Sequence, residues 1–185
     1  MYIYIFRHGE STDNRGHIFS GWRNPDLSEK GLVDTQELAE LLKDKEFSFV
    51  YTPNLTRNLK TVQEILKYHP ETKTIQDDRI RERSYGDLQG NLHLELMKKD
   101  LKTYLGYHRS YETPPPGGES IADVEKRVLP FLDMLVKKIS LEGVSVAVCG
   151  GNNSLRVIRR HFEKLSVEQM MKLENPFDNY FQYEV

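Results

Sequence analysis

The chain alternates short apolar runs with longer segments in which apolar residues recur at helical spacing. The apolar runs predict strands at residues 2–6, 47–51 and 144–149, with a weaker candidate at residues 73–76. Runs that are apolar at nearly every position are typical of parallel strands covered on both faces. The helical pattern predicts helices at residues 28–42, 54–68, 94–104, 121–139, 153–164 and 167–173.

Local signals mark the starts of two of these helices. Ser120 with Asp123, and Ser166 with Gln169, have the spacing of a capping box. Pro130 lies inside the helix that follows Ser120 and predicts a kink there. Strands separated by helices imply right-handed crossovers with helices on both faces of the sheet. We therefore predict one α/β domain over residues 1–185, a three-layer sandwich with a mostly parallel central sheet.

Composition limits the partners of this domain. The chain has 26 Lys and Arg residues against 28 Asp and Glu residues, a net charge of -2, so no overall positive field attracts nucleic acid or an acidic membrane. The first residues, a short apolar run ended by Arg7, predict neither a signal peptide nor a membrane span. The single cysteine rules out an internal disulfide framework. We expect a cytoplasmic monomer or homodimer that binds neither nucleic acid nor membrane.

Polar residues follow three of the predicted strands. His8 comes after the first strand, Arg57 after the second, and the Gly-Gly-Asn-Asn-Ser segment at residues 150–154 after the strand at 144–149. Ligands of open α/β sheets bind beyond the carboxyl ends of the strands, so these residues should converge. A neutral imidazole can attack phosphorus, and guanidinium groups neutralise phosphoryl oxygens. Alone, however, each residue is more often structural.

Further segments of the chain strengthen the phosphoryl-transfer interpretation. Arg7-His8-Gly9-Glu10 resembles the signature of the histidine phosphatase superfamily. Other segments resemble the phosphoglycerate mutase branch of that family and occur in the same order, namely Asn14, Phe19-Ser20-Gly21-Trp22, the run at residues 81–90, Arg109-Ser110-Tyr111 and the run at residues 114–120. The resemblance covers nearly the whole chain, and it implies the same three-layer fold.

The resemblance also implies roles for individual residues. His8 becomes phosphorylated, and Glu82 protonates the leaving oxygen and later deprotonates the acceptor, a role that favours a carboxyl pKa raised by burial. The implied substrate-binding residues are Arg7, Asn14, Ser20, Gly21, Arg57, Arg83, Tyr85, Arg109 and Asn152. The implied reaction interconverts 3-phosphoglycerate and 2-phosphoglycerate, small phosphorylated substrates, with 2,3-bisphosphoglycerate as phosphoryl donor and no metal.

Several positions depart from the mutase pattern. His93 stands where the mutases carry a lysine, and His108 replaces the first of two arginines. The chain also lacks an insertion after the proline run, and residues 180–185 leave little tail to close over the site. A looser lid admits water, which hydrolyses phosphohistidine. A phosphatase acting on small phosphomonoesters is therefore an alternative function.

The second catalytic histidine of the family is missing. Counting back from Asn153, Ser154 and Arg156 places it at Gly151. Loss of this donor to the phosphoryl oxygens is expected to cost about 3 kcal/mol of transition-state stabilisation. Glycine would leave room for water or a larger ligand, and restoring the histidine is expected to raise the rate. A catalytically weakened protein that only binds phospho-ligands is a further alternative.

Two rival chemistries have weaker support. Cysteine-dependent phosphatases place an arginine six residues after the catalytic cysteine, but Leu155 occupies that position relative to Cys149 and Arg156 comes one residue late. A buried cysteine that packs as a small apolar residue is the better interpretation. The six histidines are scattered without a paired helical spacing, so no metal site is expected.

Overall fold

The computed structural model describes residues 1–185 apart from the side chain of Arg109. Its strands are β1 (Tyr2–Arg7), β2 (Phe49–Thr52), β3 (Lys73–Gln76), β4 (Val146–Gly150) and β5 (Tyr180–Glu184). Its α-helices are α1 (Thr12–Arg15), α2 (Glu29–Leu42), α3 (Thr56–Ile65), α4 (His93–Lys99), α5 (Leu101–Arg109), α6 (Ile121–Glu142), α7 (Asn152–Glu163) and α8 (Val167–Met171). Both predicted capping boxes are present, at the starts of α6 and α8.

The strands form one sheet in the order β3-β2-β4-β1-β5. The first four strands are parallel, and β5 runs antiparallel along the outer side of β1. Arg7 at the end of β1 pairs with Gly150 at the end of β4. The residues that follow, His8 and Gly151, are therefore neighbours at the carboxyl edge of the sheet, where the strand exits were predicted to converge.

Two apolar cores lie on opposite faces of the sheet. Along β1, Ile3 and Ile5 join the core that α6, α7 and α8 cover, whereas Tyr4 and Phe6 join the core under α2 and α3. This alternation follows from the two-residue period of a strand, and burial on both faces explains why the central strands are continuously apolar. The predicted three-layer sandwich with a mostly parallel sheet is confirmed.

Two elements differ from the sequence predictions. The half-exposed edge strand β5 was not predicted, and its residues alternate between partly buried and exposed positions. The helix predicted at residues 94–104 is two helices, because the extended residue Asp100 ends α4 and its carboxylate accepts a hydrogen bond from Thr103 in α5. Helix α6 contains Pro130, as predicted, and the kink there stays a prediction. None of the described helices has the length and apolar character that crossing a bilayer requires.

Candidate active site

His8 lies buried at the exit of β1, and its side chain meets Arg57, which follows β2. Its Nδ1 is 2.8 Å from the carbonyl oxygen of Gly9, and its Nε2 accepts a hydrogen bond of 3.0 Å from Nε of Arg57. The proton therefore sits on Nδ1, and the Nε2 lone pair points at the guanidinium. Burial and the charges of Arg57 and Arg7 hold the pKa of His8 well below its ordinary value. The imidazole is neutral at pH 7, as a nucleophile requires.

Arg57, on the first turn of α3, is fixed by backbone carbonyl groups. Its two terminal nitrogens donate to the carbonyl oxygens of Gly21 at 2.8 Å and Arg23 at 2.9 Å. The side chain is almost fully buried, and burial lowers its pKa although the carboxylates of Glu82 and Asp13 act in the opposite direction. These contacts point a desolvated cation at Nε2 of His8.

Arg7 precedes His8 and lies under the segment before β5. Its guanidinium stacks 4.0 Å from the ring centroid of Phe177 and donates to the carbonyl oxygen of Asn175 at 3.3 Å. Loss of hydration lowers the pKa of Arg7 to about 10, against the attraction of Glu82 and Glu174. Arg7 therefore remains a cation at neutral pH.

Glu82 lies against the start of α7. Its Oε1 accepts hydrogen bonds from the backbone N–H of Arg83 at 2.6 Å, from Nδ2 of Asn153 at 2.9 Å and from the backbone N–H of Asn153 at 3.3 Å. Burial alone would raise the pKa of Glu82, but these donors together with the charges of Arg7 and Arg57 hold it below its ordinary value. The expectation of a raised pKa was wrong, because the carboxylate gains three N–H donors and two cations on burial.

Gly151 has no free space beside it. A Cβ atom added at this position would lie 2.6 Å from both Cα and Cβ of Glu82 and 2.9 Å from Oε2 of that residue. The expectation that Gly151 leaves room for water or a larger ligand was wrong, because the backbone of the Glu82 segment fills that space. A histidine at position 151 would therefore displace Glu82.

A cavity of about 540 Å³ opens beside these residues. One side is polar and carries Arg7, Asn14, Ser20, Gly21, Glu82, Asn152 and Asn153. Another side, here named the α4–α5 wall, is formed by Ile18, His93, Leu94, Met97, Tyr104 and His108. His17 and Tyr85 complete the lining. His8 and Arg57 do not line the cavity but adjoin it through Arg7 and Gly21.

The predicted substrate-binding residues fall into three groups. Arg7, Asn14, Ser20, Gly21, Tyr85 and Asn152 line the cavity. Arg57 and Arg83 do not line it. Arg57 lies behind Gly21, to whose carbonyl oxygen it donates, and Arg83 is fully buried and donates to the carbonyl oxygens of Glu119 at 2.5 Å and Thr113 at 3.3 Å. The side chain of Arg109 lies outside the part of the chain that the structure describes.

Sequence reasoning missed the segment at residues 173–177, here named the strap. Its Asn175 donates to the side-chain oxygen of Asn152 at 2.8 Å, and its Phe177 covers Arg7. Residues 180–184 form β5, in agreement with the expectation that this end leaves little tail to close over the site. The cover that the sequence did not predict comes from the strap.

Cys149 lies in the core between the sheet and helices α2 and α3. Burial raises the pKa of its thiol to about 12, so no thiolate forms at neutral pH. The interpretation of Cys149 as a packing residue is confirmed. Among the residues that the structure describes, no group of three or more His, Cys, Asp or Glu side chains is placed to hold a metal ion.

Comparisons with known proteins agree with this geometry. Residues 3–180 match the profile of the Histidine phosphatase superfamily (branch 1). The chain is 36% identical to a phosphoglycerate mutase of Schizosaccharomyces pombe, covering 93% of this chain and 84% of the relative. It is 37% identical to a 2,3-bisphosphoglycerate-dependent phosphoglycerate mutase of Brucella anthropi, and the match covers 93% of this chain and 86% of the relative. The solved structure of Bacillus stearothermophilus YhfR superposes with a TM-score of 0.89 at 25% identity, covering 100% of this chain and 91% of that one. The chain belongs to the histidine phosphatase superfamily.

Proposed function

We propose that the chain transfers a phosphoryl group from a small phosphorylated substrate through a phosphohistidine on His8. The observation that carries this proposal is the geometry of the imidazole, with its proton on Nδ1 and its Nε2 lone pair 3.0 Å from Nε of Arg57. In the first step Nε2 attacks phosphorus and the bond to the leaving oxygen breaks. Before this attack Arg57 exchanges its hydrogen bond to Nε2 for the phosphoryl oxygens, which Arg7 and Asn14 also bind, so that the Nε2 lone pair is free.

Glu82 is the proposed proton carrier. In the resting site it is ionised, because three N–H donors and two cations stabilise its charge. A bound phosphate offsets the charges of Arg7 and Arg57, which raises the pKa of the carboxyl and lets it bring a proton to the leaving oxygen. In the second step the carboxylate accepts the proton of the hydroxyl group or water that attacks the phosphohistidine.

The acceptor decides the overall reaction. Transfer to 3-phosphoglycerate, with 2,3-bisphosphoglycerate as the donor that phosphorylates His8, is supported by the mutase relatives and by the shared segments around Glu82. The polar side of the cavity suits the transferred phosphate of that donor, since it carries Arg7 beside the Arg57–His8 pair. For the rest of the 2,3-bisphosphoglycerate molecule, the described lining offers the imidazole rings of His93 and His108. At these two positions the mutases carry a lysine and an arginine.

Transfer to water is the second candidate and makes the chain a phosphomonoester phosphatase. It is favoured by the apolar residues of the α4–α5 wall, which offer little to a glycerate carboxylate. Loss of the second histidine at Gly151 slows either reaction. If turnover were lost altogether, a protein that binds phospho-ligands would remain. A cytoplasmic location and a monomeric or dimeric state stay predictions.

Labelling with ³²P tests the proposal and separates the acceptors. The purified protein is incubated with [³²P]2,3-bisphosphoglycerate, and acid-labile label is sought on His8, with the His8→Gln variant as the negative control. The labelled protein is then offered 3-phosphoglycerate or buffer alone. Transfer of label to phosphoglycerate supports the mutase, and release as inorganic phosphate supports the phosphatase. Ligand binding without label on His8 would overturn the proposed phosphohistidine.

A further inference from the structure

Arg156, on the second turn of α7, binds a different partner with each of its three side-chain nitrogens. Its Nη1 donates to the side-chain oxygen of Asn153 at 3.1 Å, its Nε donates to the carbonyl oxygen of Leu173 at 2.7 Å, and its Nη2 pairs with Glu174 at 3.0 Å. The residue is only 5% exposed. Three bonds to separate groups hold the planar guanidinium in one position.

The side-chain amide of Asn153 lies between Arg156 and the carboxylate of Glu82. Its Nδ2 donates to Oε1 of Glu82 at 2.9 Å, while its Oδ1 accepts from Arg156. A guanidinium has donors only, so the amide has to turn its oxygen toward Arg156. Arg156 therefore determines that the NH₂ end of the Asn153 amide faces Glu82.

The orientation of this amide matters because an amide can bind either form of a carboxyl group. Its NH₂ group donates to a carboxylate, whereas its oxygen accepts from a carboxylic acid. An amide that is free to turn over stabilises both forms, but an amide fixed with its NH₂ group toward Glu82 stabilises only the ionised form. This agrees with the pKa of Glu82, which is held below its ordinary value.

We infer that Arg156 is a positioning residue for the proton carrier, because it holds the Asn153 amide as a donor to Glu82 and so keeps Glu82 ionised at rest. The inference rests on the proposed role of Glu82 and adds the residue that sets its resting state. Arg156 does not line the cavity, so it acts through Asn153. An ionised Glu82 is ready to accept the proton of the group that attacks the phosphohistidine.

Other charged and titratable groups also act on Glu82. They are Arg7 of β1, Arg57 of α3, Arg127 of α6, and Arg83 and Tyr85 of its own segment. None of these groups is altered by a substitution in α7. Differences in the titration of Glu82 among α7 variants therefore report on α7 itself.

Titration of Glu82 in the free protein tests this role without requiring turnover. Glutamate is labelled with ¹³C at Cδ, and the Glu82 signal is identified as the one missing from Glu82→Gln. The test variant is Arg156→Met. The matched control is Arg159→Met, since Arg159 follows on the next turn of α7, is 9% exposed and donates to the carbonyl oxygen of Glu174 in the strap. None of the described hydrogen bonds of Arg159 reaches Asn153.

We expect the pKa of Glu82 to rise by about one pH unit in Arg156→Met, the scale of one hydrogen bond to a charged group. Arg159→Met should titrate as the wild type does, because it removes a cation and a strap contact but leaves the Asn153 amide fixed. In an Asn153→Ala background, Arg156→Met should shift Glu82 no further. An equal shift in Arg159→Met, or a full additional shift in the Asn153→Ala background, would overturn the inference. So would a Glu82 that stays ionised down to the same pH in Arg156→Met as in the wild type.

Arg156→Lys keeps the test decisive if Arg156→Met does not fold. Lysine retains the positive charge beside Glu174, but its single nitrogen cannot replace the three nitrogens of the guanidinium. The pKa of Glu82 should therefore rise in this variant too. A wild-type titration in Arg156→Lys would contradict a role that depends on the fixed amide.

Labelling separates failure of this inference from failure of the proposed function. Decay of ³²P label on His8 should slow as pH falls through the pKa of Glu82, and in Arg156→Met the decline should begin at a higher pH. Label on His8 with an unshifted titration of Glu82 leaves the phosphohistidine intact and removes the role of Arg156. A shifted titration without label on His8 retains the role of Arg156 and removes the catalytic step.

Discussion

Glu82 and Gly151 compete for the same space. The first helical turn of α7 begins directly after Gly151, which has no side chain to cap the helix. The carboxylate of Glu82 accepts the buried first-turn N–H of Asn153 instead. Negative charge near a helix N-terminus is stabilised by the helix dipole. Gly151 therefore determines where the carboxyl group of Glu82 lies. The helix N-terminus that Glu82 then contacts helps to keep this carboxyl group ionised at rest.

Replacing Gly151 by alanine tests this close contact. We expect Gly151→Ala to lower the free energy of unfolding by about 1–3 kcal/mol, the usual cost of overpacking, because the new Cβ lies 2.6 Å from Cα of Glu82. Phosphorylation of His8 should slow as Glu82 shifts. Gly151→His should behave similarly, which reverses the expectation from the sequence that a histidine at this position raises the rate, because its side chain would displace Glu82. Urea unfolding and labelling rates provide the measurements.

Gly106→Ala is the matched control for this prediction. A Cβ at position 106 meets no atom within 4 Å, and the residue lies inside α5. Alanine should therefore stabilise the protein by about 0.5–1 kcal/mol through its higher helix propensity. A Gly151→Ala variant as stable and as active as the wild type would show that the Glu82 segment is not tightly packed against residue 151.

The buried neutral state of His8 makes stability depend on pH. The folded chain does not protonate His8 until well below pH 6.5, whereas the unfolded chain binds a proton near that pH. The unfolding free energy should therefore fall as pH falls below about 6.5. Between pH 6 and pH 5 we expect the wild type to lose about 1 kcal/mol more than His8→Gln in urea titrations.

The lowered pKa of Glu82 acts in a separate range of pH. Its stabilising effect is present above the ordinary carboxyl pKa and is lost only as pH falls through its lower folded value. The difference between pH 6 and pH 5 therefore reports on His8. Parallel curves for wild type and His8→Gln would contradict a neutral buried imidazole.

Arg127 of α6 fixes the segment at residues 79–82, which carries Glu82. Arg127 donates to the carbonyl oxygens of Arg79 at 2.7 Å, Arg81 at 2.9 Å and Glu82 at 3.1 Å. Its guanidinium also pairs with both carboxylate oxygens of Glu119, at 2.8 and 2.9 Å. These contacts connect the longest helix of the protein to the backbone of the acid residue.

We expect Arg127→Met to misplace Glu82 without altering the nucleophile. Loss of the partly buried pair should lower the unfolding free energy by about 2 kcal/mol. Reaction with phenyl phosphate, whose leaving oxygen needs a proton, should fall about 100-fold in kcat/KM. Reaction with 4-nitrophenyl phosphate, whose leaving group departs as an anion, should fall much less.

Lys126→Met provides the control on the same helix. The Lys126 side chain is 77% exposed and pairs with Asp123 at the surface, so Lys126→Met should leave the unfolding free energy close to that of the wild type. Equal losses for both esters in Arg127→Met would indicate a structural role of Arg127 without a specific effect on Glu82. Arg127→Lys should recover only part of the loss, since an ammonium cannot reach all these carbonyl groups together.

The predictability of the elements depended on how deeply each is buried. The central strands β1 and β4 are apolar at successive positions because both faces are covered, and the sequence pattern identified them. Strand β5 is half-exposed at the sheet edge, so its pattern resembles that of a loop. The break between α4 and α5 depends on the backbone conformation of a single residue, Asp100, which periodicity does not reveal.

Across the whole molecule, the convergence of strand exits could be predicted but the contacts between distant segments could not. The neighbouring exits of β1, β2 and β4 follow from the order of a parallel sheet. The filled space at Gly151 and the buried position of Arg83 depend on tertiary packing of the segment at residues 79–84. Such packing leaves no periodic signal in the sequence.

The strap, late in the chain, packs at the phosphoryl site against Arg7, which lies near the start of the chain. Arg156 donates to the carbonyl oxygen of Leu173 at 2.7 Å, and Arg159 donates to the carbonyl oxygen of Glu174 at 3.1 Å. Beyond these anchors Phe177 lies on Arg7, and its ring centroid is 6.3 Å from that of His8. The strap therefore shields the nucleophile from water on the side of β5.

Phe177→Ala should open this side of the site. Loss of the cation–π contact, worth about 1 kcal/mol, increases the population of the open strap about fivefold. Label on His8 should then hydrolyse up to about fivefold faster, while label formation changes little. Phe162→Ala is the matched control, because Phe162 is also half-buried but stacks on Tyr183 at 4.7 Å. Equal decay of the label in both variants would mean that water reaches the phosphohistidine by another route, which leaves the cavity as the entrance.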